Sequence, residues 1–89
     1  MRAENAGSVV DGNAAAGLLS EVFRGDVTML VGVCGGCGAE AALGETVVEL
    51  DEVAAIVRCR SCTHTLLTVL RSGDSVRVVI GALQEIAHR

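Results

Sequence analysis

The hydrophobic pattern of the chain changes period once, near residue 26. Before that point Ala15, Leu18, Leu19 and Val22 recur at the i, i+3, i+4, i+7 spacing of one helix face. Asn13, Ser20, Glu21 and Arg24 fall largely off this stripe. Asp11-Gly12-Asn13 precedes it with side chains that accept hydrogen bonds from a first helical turn. Gly25 stands where a left-handed helix stop is wanted. The pattern predicts an amphipathic helix over 12–24, in which Gly17 costs about 1 kcal/mol. Residues 1–10 show no period and are expected to form a flexible tail ahead of a single domain over 11–89.

From Val27 the period is two. Val27, Met29, Val31 and Val33 alternate with Thr28, Leu30 and Gly32, as in a strand. Further strands are expected over 46–50, 54–58, 65–71 and 76–80. Asp51-Glu52 reads as an acidic turn and Ser72-Gly73-Asp74 as a hairpin turn. Residues 81–89 read as a short terminal helix or a frayed end. The apolar stripe of the first helix, Leu18, Leu19, Val22 and Phe23, is expected to fold back on the strand face built from Val31, Val69 and Val78.

Cysteine gives the pattern its chemistry. The chain reads C-x2-C-x21-C-x2-C through Cys34, Cys37, Cys59 and Cys62. Two residues between cysteines let a tight turn aim both sulfurs at one ion, and two such turns supply the four corners of a tetrahedron. Gly35, Gly36 and Gly38 suit a backbone folded closely around sulfur. This spacing and the strands around it resemble a zinc ribbon over 27–80, a small antiparallel sheet with a metal clamped at its end. More narrowly, Asp11-Gly12-Asn13-Ala14-Ala15-Ala16-Gly17-Leu18-Leu19-Ser20-Glu21-Val22-Phe23, the Cys34 turn and Val57-Arg58-Cys59 resemble a family of short uncharacterised actinobacterial proteins, over about residues 11–70. In those relatives Pro and aromatic residues stand near the second turn, where this chain has the run from Leu50 to Ile56. The resemblance implies a small mainly-β fold and brings no activity with it.

Composition narrows the reading further. The chain has 89 residues, 51% hydrophobic and 20% charged, which is globular rather than disordered. Its only aromatic residue is Phe23, so its core is thin and a metal, disulfide or partner is expected to supplement it. No uncharged stretch is long enough to span a bilayer. The N-terminus lacks a signal-peptide pattern, so a reducing cytoplasm is expected, where paired cysteines read as metal ligands. The metal expected is one Zn2+ per chain, with a rubredoxin-like iron as the second choice. A dithiol redox catalyst is the weaker reading, because both C-x-x-C pairs lie between strands rather than at a helix N-terminus.

The formal charge is −4 and lysine is absent. Arg58 and Arg60 flank the second cysteine pair, where they offset thiolate charge. With Arg71 and Arg77 they are too dispersed among eleven carboxylates to make a nucleic-acid surface. Glu45, Glu49, Asp51 and Glu52 read as a solvated hairpin face or a docking surface for a basic protein. His64, two residues past Cys62, reads as an exposed histidine; its alternative uses are as a metal ligand or a hydrogen-bond donor to a thiolate. His88 is expected to be solvated. No triad, paired carboxylates or phosphate loop suggests an enzyme, and four cysteines leave no open coordination position. The expected function is a non-enzymatic zinc protein acting as an adaptor for a protein partner. The alternative is a zinc- or redox-responsive regulator of a partner, at the ribosome for example.

Overall fold

The computed structural model describes residues 8–23 and 25–88. The chain is mainly β, in two antiparallel sheets. Strand β1 (Ser8–Asp11) is followed by one short helix, α1 (Ala16–Leu19), and a 3-10 turn over Val27–Met29. Then come β2 (Val31–Cys34), β3 (Glu40–Ala42), a second 3-10 turn over Leu43–Glu45, and β4 (Val47–Leu50). Strands β5 (Ala54–Arg58), β6 (Thr65–Ser72), β7 (Ser75–Ile80) and β8 (Leu83–Ala87) complete the order. The larger sheet has the order β1-β4-β5-β6-β7 and the smaller one β3-β2-β8.

Alternation sets the faces of the larger sheet. Val10, Val48, Val57 and Leu67 stand opposite one another across four strands, and Leu50, Ala55, Val69 and Val78 form the next rung. These rungs face the core. Leu19, Val27, Leu30 and Leu43 from the segments between strands cover them, and Leu83 and Ile86 of β8 pack alongside. The largest fully buried side chains are Leu, Val, Thr and Cys, as a chain with one aromatic residue requires.

Three expectations need correction. The helix over 12–24 contracts to Ala16–Leu19, because Asp11-Gly12-Asn13 does not start it. Gly12 and Asn13 instead extend the sheet edge, their N–H groups donating to the carbonyls of Thr46 (3.1 Å) and Gly44 (3.2 Å). A side chain at Gly12 is impossible there: a Cβ would lie 1.6 Å from the Leu43 carbonyl oxygen. Asp11 still accepts from the Ala14 N–H at 2.9 Å, as a turn rather than a cap. Beyond Leu19 the chain stays coiled to Phe23 through a mixture of i→i+4 and i→i+3 hydrogen bonds, so the apolar stripe survives: Leu19 is fully buried, while Leu18, Val22 and Phe23 pack against the core. Among the partners expected for that stripe, Val69 is buried and Val78 packs on the core, while Val31 is only half-buried and lies outside it.

The second correction is at residue 27. Asp26 accepts from both the N–H and the hydroxyl of Thr28, which winds 27–29 into a turn, and the strand begins at Val31. The third concerns the two ends of the chain. Residues 8–10, expected to be tail, pair with β4, and residues 1–7 lie outside the described residues. The C-terminal segment, expected to be a helix or frayed, is strand β8. In place of the one small antiparallel sheet expected over 27–80 there are two sheets, of five and three strands, which also take in β1 and β8.

Candidate metal centre

Two hairpins present the cysteines. One turn joins β2 to β3 in the smaller sheet and carries Cys34 and Cys37; the other joins β5 to β6 in the larger sheet and carries Cys59 and Cys62. The two turns are built alike. The N–H of Cys34 donates to the Ala39 carbonyl and that of Cys59 to the His64 carbonyl, each at 2.9 Å. The Gly38 N–H donates back to the Cys34 carbonyl (2.7 Å) and the Thr63 N–H to the Cys59 carbonyl (2.9 Å). The Gly36 N–H points at Cys34 Sγ (3.3 Å) and the Ser61 N–H at Cys59 Sγ (3.4 Å). The fifth residue of each turn takes a positive φ: 81° at Gly38, where glycine suits it, and 66° at Thr63, where it is strained.

This equivalence brings the four sulfurs together. All lie within 4.8 Å of one another. The cross-turn pairs are Cys34–Cys62 at 3.6 Å and Cys37–Cys59 at 3.7 Å. A disulfide requires about 2.05 Å. A tetrahedral ion with metal–sulfur bonds of about 2.3 Å separates its sulfurs by about 3.8 Å. The spacing thus fits a four-thiolate metal centre, with ligands from two different sheets. Neither C-x-x-C pair lies at a helix N-terminus, the position that suits redox catalysis.

Burial opposes ionisation of the Cys59 thiol, but the backbone N–H groups of Cys62 and Ser61 and the neighbouring sulfurs outweigh it and lower the thiol to about 6. At Cys62 the backbone N–H of His64 favours the thiolate, yet burial and the three other sulfurs push the thiol up to about 12. Four adjacent sulfurs share their protons as a set. A divalent cation reverses this, because a coordinated thiol is deprotonated outright.

The surroundings are asymmetric. Cys34 and Cys59 are buried, Cys62 is half-buried and Cys37 is exposed. His64 lies at the exposed rim, its Nδ1 3.1 Å from Cys62 Sγ. Its ring rests on the opposite turn, where a Cβ on Gly36 would come within 2.9 Å of Nδ1. His64 is exposed, as expected, and its ring also contacts a cysteine sulfur. Arg58 is engaged below the second turn, bonded to Glu49 (3.1 Å) and Thr65 Oγ1 (3.1 Å), and Arg71 pairs with Glu21. Arg60 is exposed. Of the acidic run, Glu49 holds Arg58, and Asp51 accepts from the N–H groups of Val53 and Ala54.

One part of the site escaped the sequence reading. Gly81 and Ala82 form a strap between the two turns. Their N–H groups donate to the Leu66 and Thr65 carbonyls beyond the second turn, while the Ala82 carbonyl accepts from Gly35 in the first at 2.7 Å. A Cβ at Gly81 would lie 2.5 Å from the Thr65 oxygen, which explains the glycine. The only signal in the sequence is that glycine directly after an alternating strand.

No helix among the described residues is long and apolar enough to cross a membrane. No curated protein and no solved structure matches the chain. A family model does match, over residues 3–89, which extends past both ends of the 11–70 stretch. The chain belongs to the DUF6510 family, a family of unknown function.

Proposed function

We propose that the protein is a small non-enzymatic zinc-binding protein of the zinc-ribbon class, with one Zn2+ held by Cys34, Cys37, Cys59 and Cys62. The observation that carries this reading is the near-tetrahedral spacing of four sulfurs delivered by two equivalent turns. Four protein ligands leave no position for water or substrate, so the metal is structural. Such a metal contributes about 10–16 kcal/mol to small zinc domains, against a core worth about 3–5 kcal/mol at this size. Native mass spectrometry and X-ray absorption test the reading. One zinc per chain in an all-sulfur shell is expected. A mixed sulfur–nitrogen shell would move His64 into the ligand set, and a chain that folds and retains no metal would end the proposal.

The domain then serves as an adaptor for a protein partner, in the cytoplasm. Support comes from the outer face of the larger sheet. One outward rung runs through Val9, Glu49, Ile56, Thr68 and Val79. Val9 is 69% and Val79 50% exposed. The arginines offer little to nucleic acid, since Arg58 and Arg71 are already paired with carboxylates. Affinity capture with zinc-loaded protein, in parallel with metal-stripped protein, tests the adaptor role. A partner held only by the loaded form is expected; micromolar RNA binding at physiological salt would replace this reading.

A further inference from the structure

The four sulfurs are not equivalent toward solvent or toward hydrogen-bond donors. Cys34 accepts from the Gly36 N–H and Cys59 from the Ser61 N–H, and both are buried. Cys62 is half-buried and has the His64 ring 3.1 Å from its sulfur. Cys37 is exposed, and among the described residues no N–H donates to its sulfur. Its sulfur lies 3.7 Å from Cys59 Sγ on the other turn. A hydrogen bond withdraws charge from a thiolate and lowers its nucleophilicity. Burial keeps reagents away. Both effects single out one corner.

We propose that Cys37 is a modification site: the thiolate at which a hydroperoxide opens the metal centre, with Cys59 as the resolving thiolate. The proposal rests on the zinc-thiolate reading above. In the first step the Cys37 sulfur attacks one peroxide oxygen. An S–O bond forms to the terminal oxygen, the O–O bond breaks and hydroxide (from hydrogen peroxide) or alkoxide (from an organic hydroperoxide) leaves, so sulfur is oxidised to the sulfenic acid and the peroxide is reduced. In the second step the Cys59 thiolate attacks the Cys37 sulfur. An S–S bond forms, the S–O bond breaks and hydroxide leaves. The disulfide removes two of four ligands, one from each turn, so Zn2+ departs and a single cross-turn S–S bond replaces the four-sulfur joint between the sheets. The oxidant is external and belongs to the hydroperoxide class.

The test uses the full chain loaded with zinc, its one-to-one stoichiometry first established by native mass spectrometry. Failure at that stage is failure of the zinc reading. The loaded protein is then treated with limiting hydrogen peroxide in one arm and limiting iodoacetamide in the other. Zinc release is followed with a chromophoric chelator, and the modified residues are mapped. Tryptic cleavage after Arg58 and Arg60 places Cys59 and Cys62 on separate peptides, and tandem spectra separate Cys37 from Cys34. With iodoacetamide, Cys37 is expected to carry at least about tenfold more label than any other cysteine, the size expected for one missing hydrogen bond to a charged sulfur. With peroxide, the first disulfide is expected to be Cys37–Cys59, formed in step with zinc release. His64→Ala should keep the metal and raise the Cys62 share of the label. Even labelling of the four cysteines, or a first disulfide that lacks Cys37, overturns the proposal while leaving the zinc centre intact.

Discussion

Gly12→Ala separates the observed packing of the Asp11-Gly12-Asn13 segment from the helix cap that its residue types suggest. At a helix start the substitution would be mild. In the structure the new Cβ would stand 1.6 Å from the Leu43 carbonyl oxygen and 2.9 Å from Gly44 Cα, both of them backbone. Reaching ordinary contact means parting the segments by about 2 Å. That breaks the bonds from Gly12 to Thr46 and from Asn13 to Gly44. Two hydrogen bonds at about 1 kcal/mol each, plus about 1–3 kcal/mol of overpacking, give a loss of about 3–5 kcal/mol. For a domain of this size the melting temperature should fall by at least about 12 °C. Gly17→Ala is the internal control. It lies in α1 with nothing within 4 Å of a new Cβ, so it should gain up to about 1 kcal/mol. Thermal and urea unfolding of the zinc-loaded proteins measures both. A Gly12→Ala protein that melts with the wild type, or a Gly17→Ala protein that loses stability, refutes the docked edge and restores the long helix.

Leu19 is fully buried, so Leu19→Ala should cost about 2–5 kcal/mol in urea unfolding; an unchanged midpoint would make the helical segment an interaction element instead. Thr63→Gly should gain up to about 1 kcal/mol by relieving a β-branched residue at φ 66°, whereas Gly38→Ala at φ 81° should lose about 1–2 kcal/mol; the reverse order in thermal melts would contradict the strain argument. Metal affinity should fall as the pH drops through about 6, where even Cys59 takes up its proton, and zinc binding at pH 7 should release fewer than four protons because Cys59 is already ionised. Calorimetry in buffers of different ionisation enthalpy counts those protons, and a release of four would rule out the lowered thiol.

The strands over 54–58, 65–72 and 75–80 were legible because each alternates against a core on one face and ends at a turn residue or a cysteine. The four cysteines were legible from spacing alone. What stayed hidden lay where backbone contacts, not periodicity, decide the outcome. In β8 the core residues Leu83 and Ile86 are three apart, a helical interval. A register shift lets them oppose Cys34 and Gly32, which are two apart, so both reach the same face of a strand. The shift in β6 works the same way and buries the consecutive Leu66 and Leu67. At the N-terminus the 3.6-residue stripe was real as a burial pattern, but its hydrogen bonds mix i→i+4 with i→i+3 spacing, so only Ala16–Leu19 is a regular α-turn.

The two equivalent turns explain why a metal suits this chain better than a larger core. Each turn belongs to a different sheet, and the side chains between the sheets are Leu, Val and Ala rather than aromatics. Small side chains fill a narrow space well but reach across it poorly. Backbone ties between the turns come from the Gly81-Ala82 strap, whose three hydrogen bonds contribute only about 1 kcal/mol each. A metal held as proposed would draw two sulfurs from each sheet and fix the turns against one another at bond lengths of about 2.3 Å. It also imposes a cost, since the excess negative charge must be met by N–H donors. The turns supply these to Cys34 and Cys59, and the backbone N–H of His64 favours the Cys62 thiolate. The corner left without one among the described residues, Cys37, is also the exposed corner, which is where the proposed oxidation would begin.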